Sequence, residues 1–472
     1  MSALVSGSAL GTWRVIRRYA VPRSMIEEAT AARERGDWRG ACAAAGVAVA
    51  ARPEDLAPYA DDLAHLAPDL VRWHLPRYPP SGETTLEPRT TVVLARRGET
   101  FLGIATPRVA RSTQRLSLVV APSFPDQRLD WRAARHLWDV READRLIART
   151  CGPRTRQMLA LHDAGWARAA WALAGVDVPE PPGGFPLLDA DPDILVAAAR
   201  SARAPSSLVT LRSQELRLHV VNGGPPRAEW VTGHDRSPGR LPMPAYLRPP
   251  DLHLVRLGLL SPADLHPLVG PLLAPFAAAV PAASDEDPAV RVRCGGAWHA
   301  LGWSGGRMRL PHTAQERRRE EALRALGGEV HGCFAAERAW GDRAARLPRR
   351  LERQRRDLLL RMQHGDLAGV EAVLDAGVDP RVRDPHGRTL LHLLPCVDWR
   401  PGWERLLERL LAGGLDVDDH DHAGLTPLYA AVHDGGSPVL VRALIAAGAT
   451  VDDLVVEAWD RYRRDDVPEL PA

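Results

Sequence analysis

The residue types best suited to chemistry fall in a few short clusters. His420-Asp421-His422, with Asp418 and Asp419 beside them, offers imidazole and carboxylate groups that could ligate a metal ion. His331-Gly332-Cys333, with Glu329 nearby, sets a thiol close to an imidazole, as a Cys–His nucleophile pair requires. Arg349, Arg350, Arg353, Arg355, Arg356 and Arg361 form a basic run suited to phosphate contacts. Trp298, His299 and Trp303 flank a predicted hairpin, and His65, Trp73 and His74 lie in an amphipathic segment. Either group could build an aromatic cage.

Each cluster also has a plainer reading, which outweighs the chemical one. Asp421 is already required by a turn template set out below, and paired loop histidines are ordinarily just solvated. Sequence neighbours such as His331 and Cys333 seldom reach catalytic geometry. The chain contains no lysine, and Glu352 and Asp357 interrupt the arginine run, so it reads as a solvated helix face. The tryptophan and histidine groups read as core. No phosphate-cradling glycine loop, zinc-spaced cluster or G-x-S-x-G elbow occurs along the chain. Catalytic residues, metal ligands and cofactors are therefore not expected.

Composition bounds the remaining possibilities. A chain of 472 residues, 45% apolar and 25% charged, can build two to four ordinary cores. All basic side chains other than histidine are arginine, and Asn222 is the only asparagine. This is a coding bias toward GC-rich, bacterial-type codons, which weakens arginine count as a sign of nucleic acid. Net charge is uneven: residues 1–356 carry 50 Arg against 38 acids, whereas 357–472 carry 11 Arg against 21. The two parts could attract each other, or the acidic part could favour a basic partner. The five cysteines are widely spaced and lack a C-x-x-C pair, which argues against a disulfide framework. No secretory signal is evident, and Pro271, Pro275 and Pro281 interrupt the longest apolar stretch. No membrane span is expected, and the expected location is cytoplasmic.

Periodicity predicts the elements that would position these residues. Helices are predicted at 25–35 and 38–45 around Gly36-Asp37, and at 61–75. An antiparallel meander follows over 90–96, 100–106 and 115–121. Helices resume at 131–149 and 154–174. Gly36 and Gly46 bracket one helical hairpin much as Gly165 and Gly175 bracket a second. That shared skeleton is open between a degenerate repeat and the coincidences of an alanine-rich chain. A proline-rich linker is predicted at 179–206, with a short helix near 194–200. Strands are predicted at 207–212, 216–221 and 228–232, with Asn222-Gly223-Gly224 as a hairpin turn. The acidic segment Pro281–Pro288 is a further boundary. Strands at 290–293, 298–303 and 307–310 come next, then helices from Thr313 onward. The predicted domains are 1–178, 207–350 and 351–455, the last followed by a tail at 456–472.

The strongest pattern lies in the last quarter. Gly377, Asp379, Asp384, Gly387 and Thr389 recur with identical offsets as Gly414, Asp416, Asp421, Gly424 and Thr426. A fixed period of this size signals stacked units. Glycine permits a tight turn, threonine caps a helix, and Pro427 at the first helical position sacrifices no hydrogen bond. Three helical pairs are predicted, at 358–363 with 368–374, a short helix ended by Pro395 with 403–411, and 426–432 with 439–445. The last closes at Gly448, and the array is expected to lean on helices at 313–356.

Gly387-Arg388-Thr389-Leu390-Leu391-His392 and Gly424-Leu425-Thr426-Pro427-Leu428-Tyr429 each sit one residue from G-x-T-P-L-H, and in this the region resembles the ankyrin repeat family. Leu390 stands in place of proline and Tyr429 in place of histidine, whereas His392 can still bond Thr389. The expected fold is thus α+β, a mixed helix and antiparallel-strand region followed by a short all-α ankyrin-like solenoid. The resemblance implies a scaffold that binds another protein through hairpin loops and groove, without catalysis. The implied contact residues are Asp379, Asp384, His386, Asp416, Asp418, Asp419, His420, Asp421, His422 and His433, with His392 and Tyr429 also facing the groove. Gly377, Gly387, Thr389, His392, Gly414, Gly424, Thr426, Pro427 and Gly448 would be structural. A basic partner surface is expected, nucleic acid is not. The competing reading houses an enzyme or effector in residues 1–350, with the repeats choosing its target.

Overall fold

The computed structural model describes residues 7–77, 84–110, 112–124, 127–146, 154–180, 191–202, 206–211, 214–220, 224–231, 240–278, 290–342 and 346–462. The Asn222-Gly223 turn, residues 181–190 and 203–205 of the proline-rich linker, the Pro281–Pro288 boundary, Cys151 and the end of the tail lie outside the described residues. Helices and mixed sheets make the chain an α+β protein. No described helix is long and apolar enough to cross a membrane.

The chain forms two compact units, Met1–Ala110 with Arg115–Ser284, and Arg111–Gln114 with Asp285–Ala472. This division differs from the expected one. The helix Pro192–Ser201, placed in a linker from sequence, buries Leu195 and Ala199 in the same core as Val47, Val92 and Trp138. Residues 290–341 share a core with the helices beyond 350, so a cut at 350 would pass through the second unit.

In the first unit, β2 (Thr90–Arg97), β3 (Thr100–Ala105) and β4 (Leu116–Ala121) form the expected meander. Two short strands extend it in parallel, β1 (Val47–Val49) on β4 and β5 (Gln127–Asp130) on β2. A second sheet, β6 (Ser206–Leu211), β7 (Gln214–His219) and β8 (Arg227–Val231), repeats the plan more sparsely. Asp177 bridges its third strand in parallel, and Arg240 bridges its first. A helical hairpin precedes each sheet, Arg23–Glu34 with Trp38–Ala44, and Thr155–Asp163 with Ala167–Leu173. The glycine skeleton shared by the hairpins thus marks a structural unit that occurs twice.

Over residues 131–144 the predicted helix is replaced by two short 3-10 turns, Arg135–Leu137 and Val140–Glu142; helix begins only at 145, and 147–149 lie outside the described residues. Tertiary pairing overrides helical propensity here. The Trp138 carbonyl accepts from Ala67 N–H, and Val140 N–H donates to the His65 carbonyl. Asp139, fully buried, turns the chain by accepting from Arg141 N–H and from the Arg135 and Arg141 side chains.

In the second unit, β9 (Val290–Cys294), β10 (Ala297–Ser304) and β11 (Arg307–Arg309) form an antiparallel sheet in the order β11-β10-β9. Helices follow at Ala314–Ala325, Gly332–Gly341, Arg349–His364, Leu367–Asp375, Trp403–Ala412, Pro427–His433, Pro438–Ala446 and Asp453–Tyr462. The second, third and fourth of these enter the common core, but Ala314–Ala325 buries nothing, so only part of the expected support over 313–356 exists. The final helix buries Val455, Ala458 and Trp459 where the turn template stops.

One predicted helix is absent. After Thr389 the chain runs through consecutive turns into a 3-10 stretch at Leu394–Cys396, with i to i+3 bonds from Leu393 N–H to the Leu390 carbonyl and from Val397 N–H to the Leu394 carbonyl. Leu390 does not preset the first helical torsion as proline would, and Pro395 removes a donor.

Candidate functional site

The two template loops, residues 378–388 and 415–425, are built from the same bonds. Asp379 accepts from Arg381 N–H at 2.8 Å, and Asp416 from Asp418 N–H at 3.0 Å. Asp384 accepts from the N–H groups of His386 and Arg388, as Asp421 does from Ala423 and Leu425. In both, the aspartate N–H donates to the carbonyl four residues on, and the glycine N–H donates to the aspartate carbonyl. Gly387 and Gly424 hold φ of +81° and +78°, which explains the invariant glycine.

The helix starts differ in a related way. Thr426 accepts from Tyr429 N–H at 3.2 Å as an N-cap. Thr389 N–H donates to His392 Nδ1 at 3.1 Å, which makes Nε2 the protonated nitrogen, and Nε2–H donates to the Leu425 carbonyl at 3.0 Å. His392 is 1% exposed and burial lowers its pKa, so it is a structural strut and not a groove contact as expected.

Several residues expected to meet a partner are committed internally. Asp379 and Asp384 are buried, the latter also holding the Arg388 side chain at 2.8 Å. Asp419 takes both oxygens to Arg383, and Asp418 accepts from Thr450 N–H and Oγ1. His422 N–H donates to the His386 carbonyl at 2.8 Å, lacing one loop to the next. Asp421 serves its own turn. What remains exposed is Asp416, His420 and the His422 ring, with His386 and Asp418 partly so. His433 pairs with Asp434 at 2.8 Å, which raises its pKa, and stacks on Tyr429. The His420 and His422 side chains are not gathered with Asp418 or Asp419 into a metal cluster among the described residues.

Beside the first loop lies a cleft of about 420 Å³ lined by Trp303, Glu337, Asp379 and Arg381 among others. Trp303 packs on Trp340, with ring centroids 4.5 Å apart, and donates to Gln354. Trp298, read from sequence as sheet core, is 67% exposed. Trp73 and His74 are buried as expected, whereas His65 is half-buried. Along the basic helix, Arg349, Arg353 and Arg356 are exposed, but Arg355 is buried on the Ala339 carbonyl and Arg361 pairs with Asp357 and Asp366.

The structure also gathers four residues that spacing along the chain did not reveal. Cys294 closes β9, His299 lies on β10, His312 follows β11, and Cys333 opens the helix Gly332–Gly341. Their ligand atoms all lie within 4.8 Å of one another. Cys294 Sγ is 3.6 Å from His312 Nε2, His299 Nδ1 is 3.2 Å from His312 Nε2, and Cys333 Sγ is 3.5 Å from His299 Nδ1. His331, the sequence neighbour not expected to pair with Cys333, is exposed and faces Glu329. Burial, then the nearby Cys294, push the Cys333 thiol up to about 12, far from a thiolate nucleophile at neutral pH.

Sequence reading missed this cluster because its intervals match no zinc pattern and its members sit on four different elements. Two cysteines and three histidines over 294–333, around predicted hairpins, were the available signal. No protein-family model matches the sequence, and no curated protein is significantly similar to it.

Proposed function

We propose that the second unit binds a partner protein along the edge formed by its two template loops, in the manner expected of ankyrin-like repeats. The observation that carries this reading is the shared bonding of the loops. Their template aspartates and glycines are spent on turn geometry, so the remaining side chains are held out on a backbone that needs little ordering to bind. Asp416, which is exposed although it also accepts from Asp418 N–H, forms the contact edge with His420, His422 and His386, and the other template aspartates act indirectly by fixing its shape. With Asp416 on this edge, the favoured partner surface is basic.

A photo-crosslinking residue at His420 tests the reading in cells of the native host. It should trap one protein reproducibly, and charge reversal at Asp416 should weaken that capture. A crosslinker at Arg353, on the exposed helix face, should trap nothing in common with it. Recovery of the same proteins from both positions would show that the loops have no particular role.

A further inference from the structure

We propose that Cys294, His299, His312 and Cys333 bind one zinc ion in a closed, structural site. Tetrahedral zinc with bonds of about 2.3 Å to sulfur and about 2.05 Å to nitrogen sets ligand–ligand edges of about 3.3 Å for N–N and about 3.6 Å for N–S. Three of the six edges are 3.2 Å for His299 to His312, 3.6 Å for Cys294 to His312 and 3.5 Å for Cys333 to His299, and all six lie within 4.8 Å. Two thiols and two imidazoles are the donor set that favours zinc over calcium or magnesium. All four positions come from the protein, which leaves no opening for substrate and makes the site structural.

Backbone shape independently supports the approach of the two sulfurs. Gly332 holds φ of +61°, and a Cβ there would lie 2.6 Å from Cys294 Sγ and 3.0 Å from Cys294 Cα. Only glycine lets the start of this helix come so close to the end of β9. His312 is anchored from the far side, since its Nδ1 faces Glu316 at 3.7 Å while Thr313 and Glu316 form a capping box. Phe334 packs on the His312 ring with centroids 4.7 Å apart.

The surrounding architecture also needs a clasp. Strands β9, β10 and β11 bury only Val290, Leu301 and Met308 among their side chains. A sheet so thinly cored gains little from apolar burial, and a metal joining both hairpins to the helix supplies what burial does not.

The full-length protein, purified under reducing conditions without added metal, should carry about one zinc per chain by elemental analysis. After removal of zinc, cobalt(II) should titrate to one equivalent and give the intense ligand-field bands of a tetrahedral, thiolate-bound ion. Cys294→Ser and Cys333→Ser should lose the metal, whereas Cys42→Ser and His331→Ala should retain it. Because a cysteine variant can misfold, the cobalt titration of the wild-type chain stands as the deciding measurement. A six-coordinate cobalt spectrum, zinc retained in both cysteine variants, or a Cys294–Cys333 disulfide found by non-reducing peptide mapping would each overturn the assignment.

Discussion

The loops at 378–388 and 415–425 share their turn bonds but not their surroundings. The Asp379 carbonyl accepts from Trp340 Nε1, and the Gly377 carbonyl accepts from Gly306 N–H, so the first loop is clamped against the sheet and helix that precede it. Asp384 and Arg388 are buried there, whereas Asp421 is half-buried and the loop around it meets solvent. Local hydrogen bonding fixes the shape of both. Burial decides what each repeated residue is worth.

Equivalent substitutions in the two loops put that distinction to the test. The largest gap is expected between Asp384→Ala and Asp421→Ala. Removing Asp384 takes the 2.8 Å carboxylate from the buried Arg388 and leaves it the longer pair with Asp434 at 3.8 Å. We expect a loss of about 3 kcal/mol in urea unfolding for Asp384→Ala and about 1 kcal/mol for Asp421→Ala. Equal losses would show that burial is not the deciding factor.

A smaller gap should separate His392→Ala from Tyr429→Ala. The first leaves Thr389 N–H without its acceptor and takes one of two donors from the Leu425 carbonyl, which keeps Asp421 N–H, and should cost about 2 kcal/mol. The second removes a half-buried ring stacked on His433 and should cost about 1 kcal/mol. Gly387→Ala and Gly424→Ala each force alanine into the left-handed region, at about 1 kcal/mol. At Gly387 the new methyl would also lie 2.4 Å from His422 Cδ2, whereas nothing is within 4 Å at Gly424. Only Gly387→Ala should shift the His422 ring resonances in an NMR spectrum.

The smallest effect concerns pH. Burial depresses the His392 pKa, so its contribution to stability is present above the unfolded value of about 6.5 and fades as pH falls through the folded value. His433 acts oppositely, because Asp434 raises its pKa and its contribution fades as pH rises. The stability difference between wild type and His392→Gln should therefore shrink on acidification from pH 7 to pH 5. A constant difference would remove His392 from the pH response.

What could be read from sequence was what local bonds determine. The aspartates, glycines and threonines of the loops act within four residues of themselves, so their spacing is their structure. The helices at Leu367–Asp375 and Trp403–Ala412 announced themselves through periodic leucines. The Cys294, His299, His312 and Cys333 cluster depends on strand pairing that brings distant positions together, and no interval in the chain encodes it. Residues 131–149 failed for the opposite reason. Their alanines and arginines favour a helix, yet backbone pairing with His65 and Ala67 and the buried carboxylate of Asp139 hold residues 135–142 in turns.

Among the described residues, the first unit ends its sheets with very little strand. One sheet terminates in β1 and β5, of three and four residues, and the other in single bridges at Asp177 and Arg240. Such brief margins offer an incoming chain almost no backbone to zip onto. Strand addition to these sheets would first require their outermost pairs to peel away.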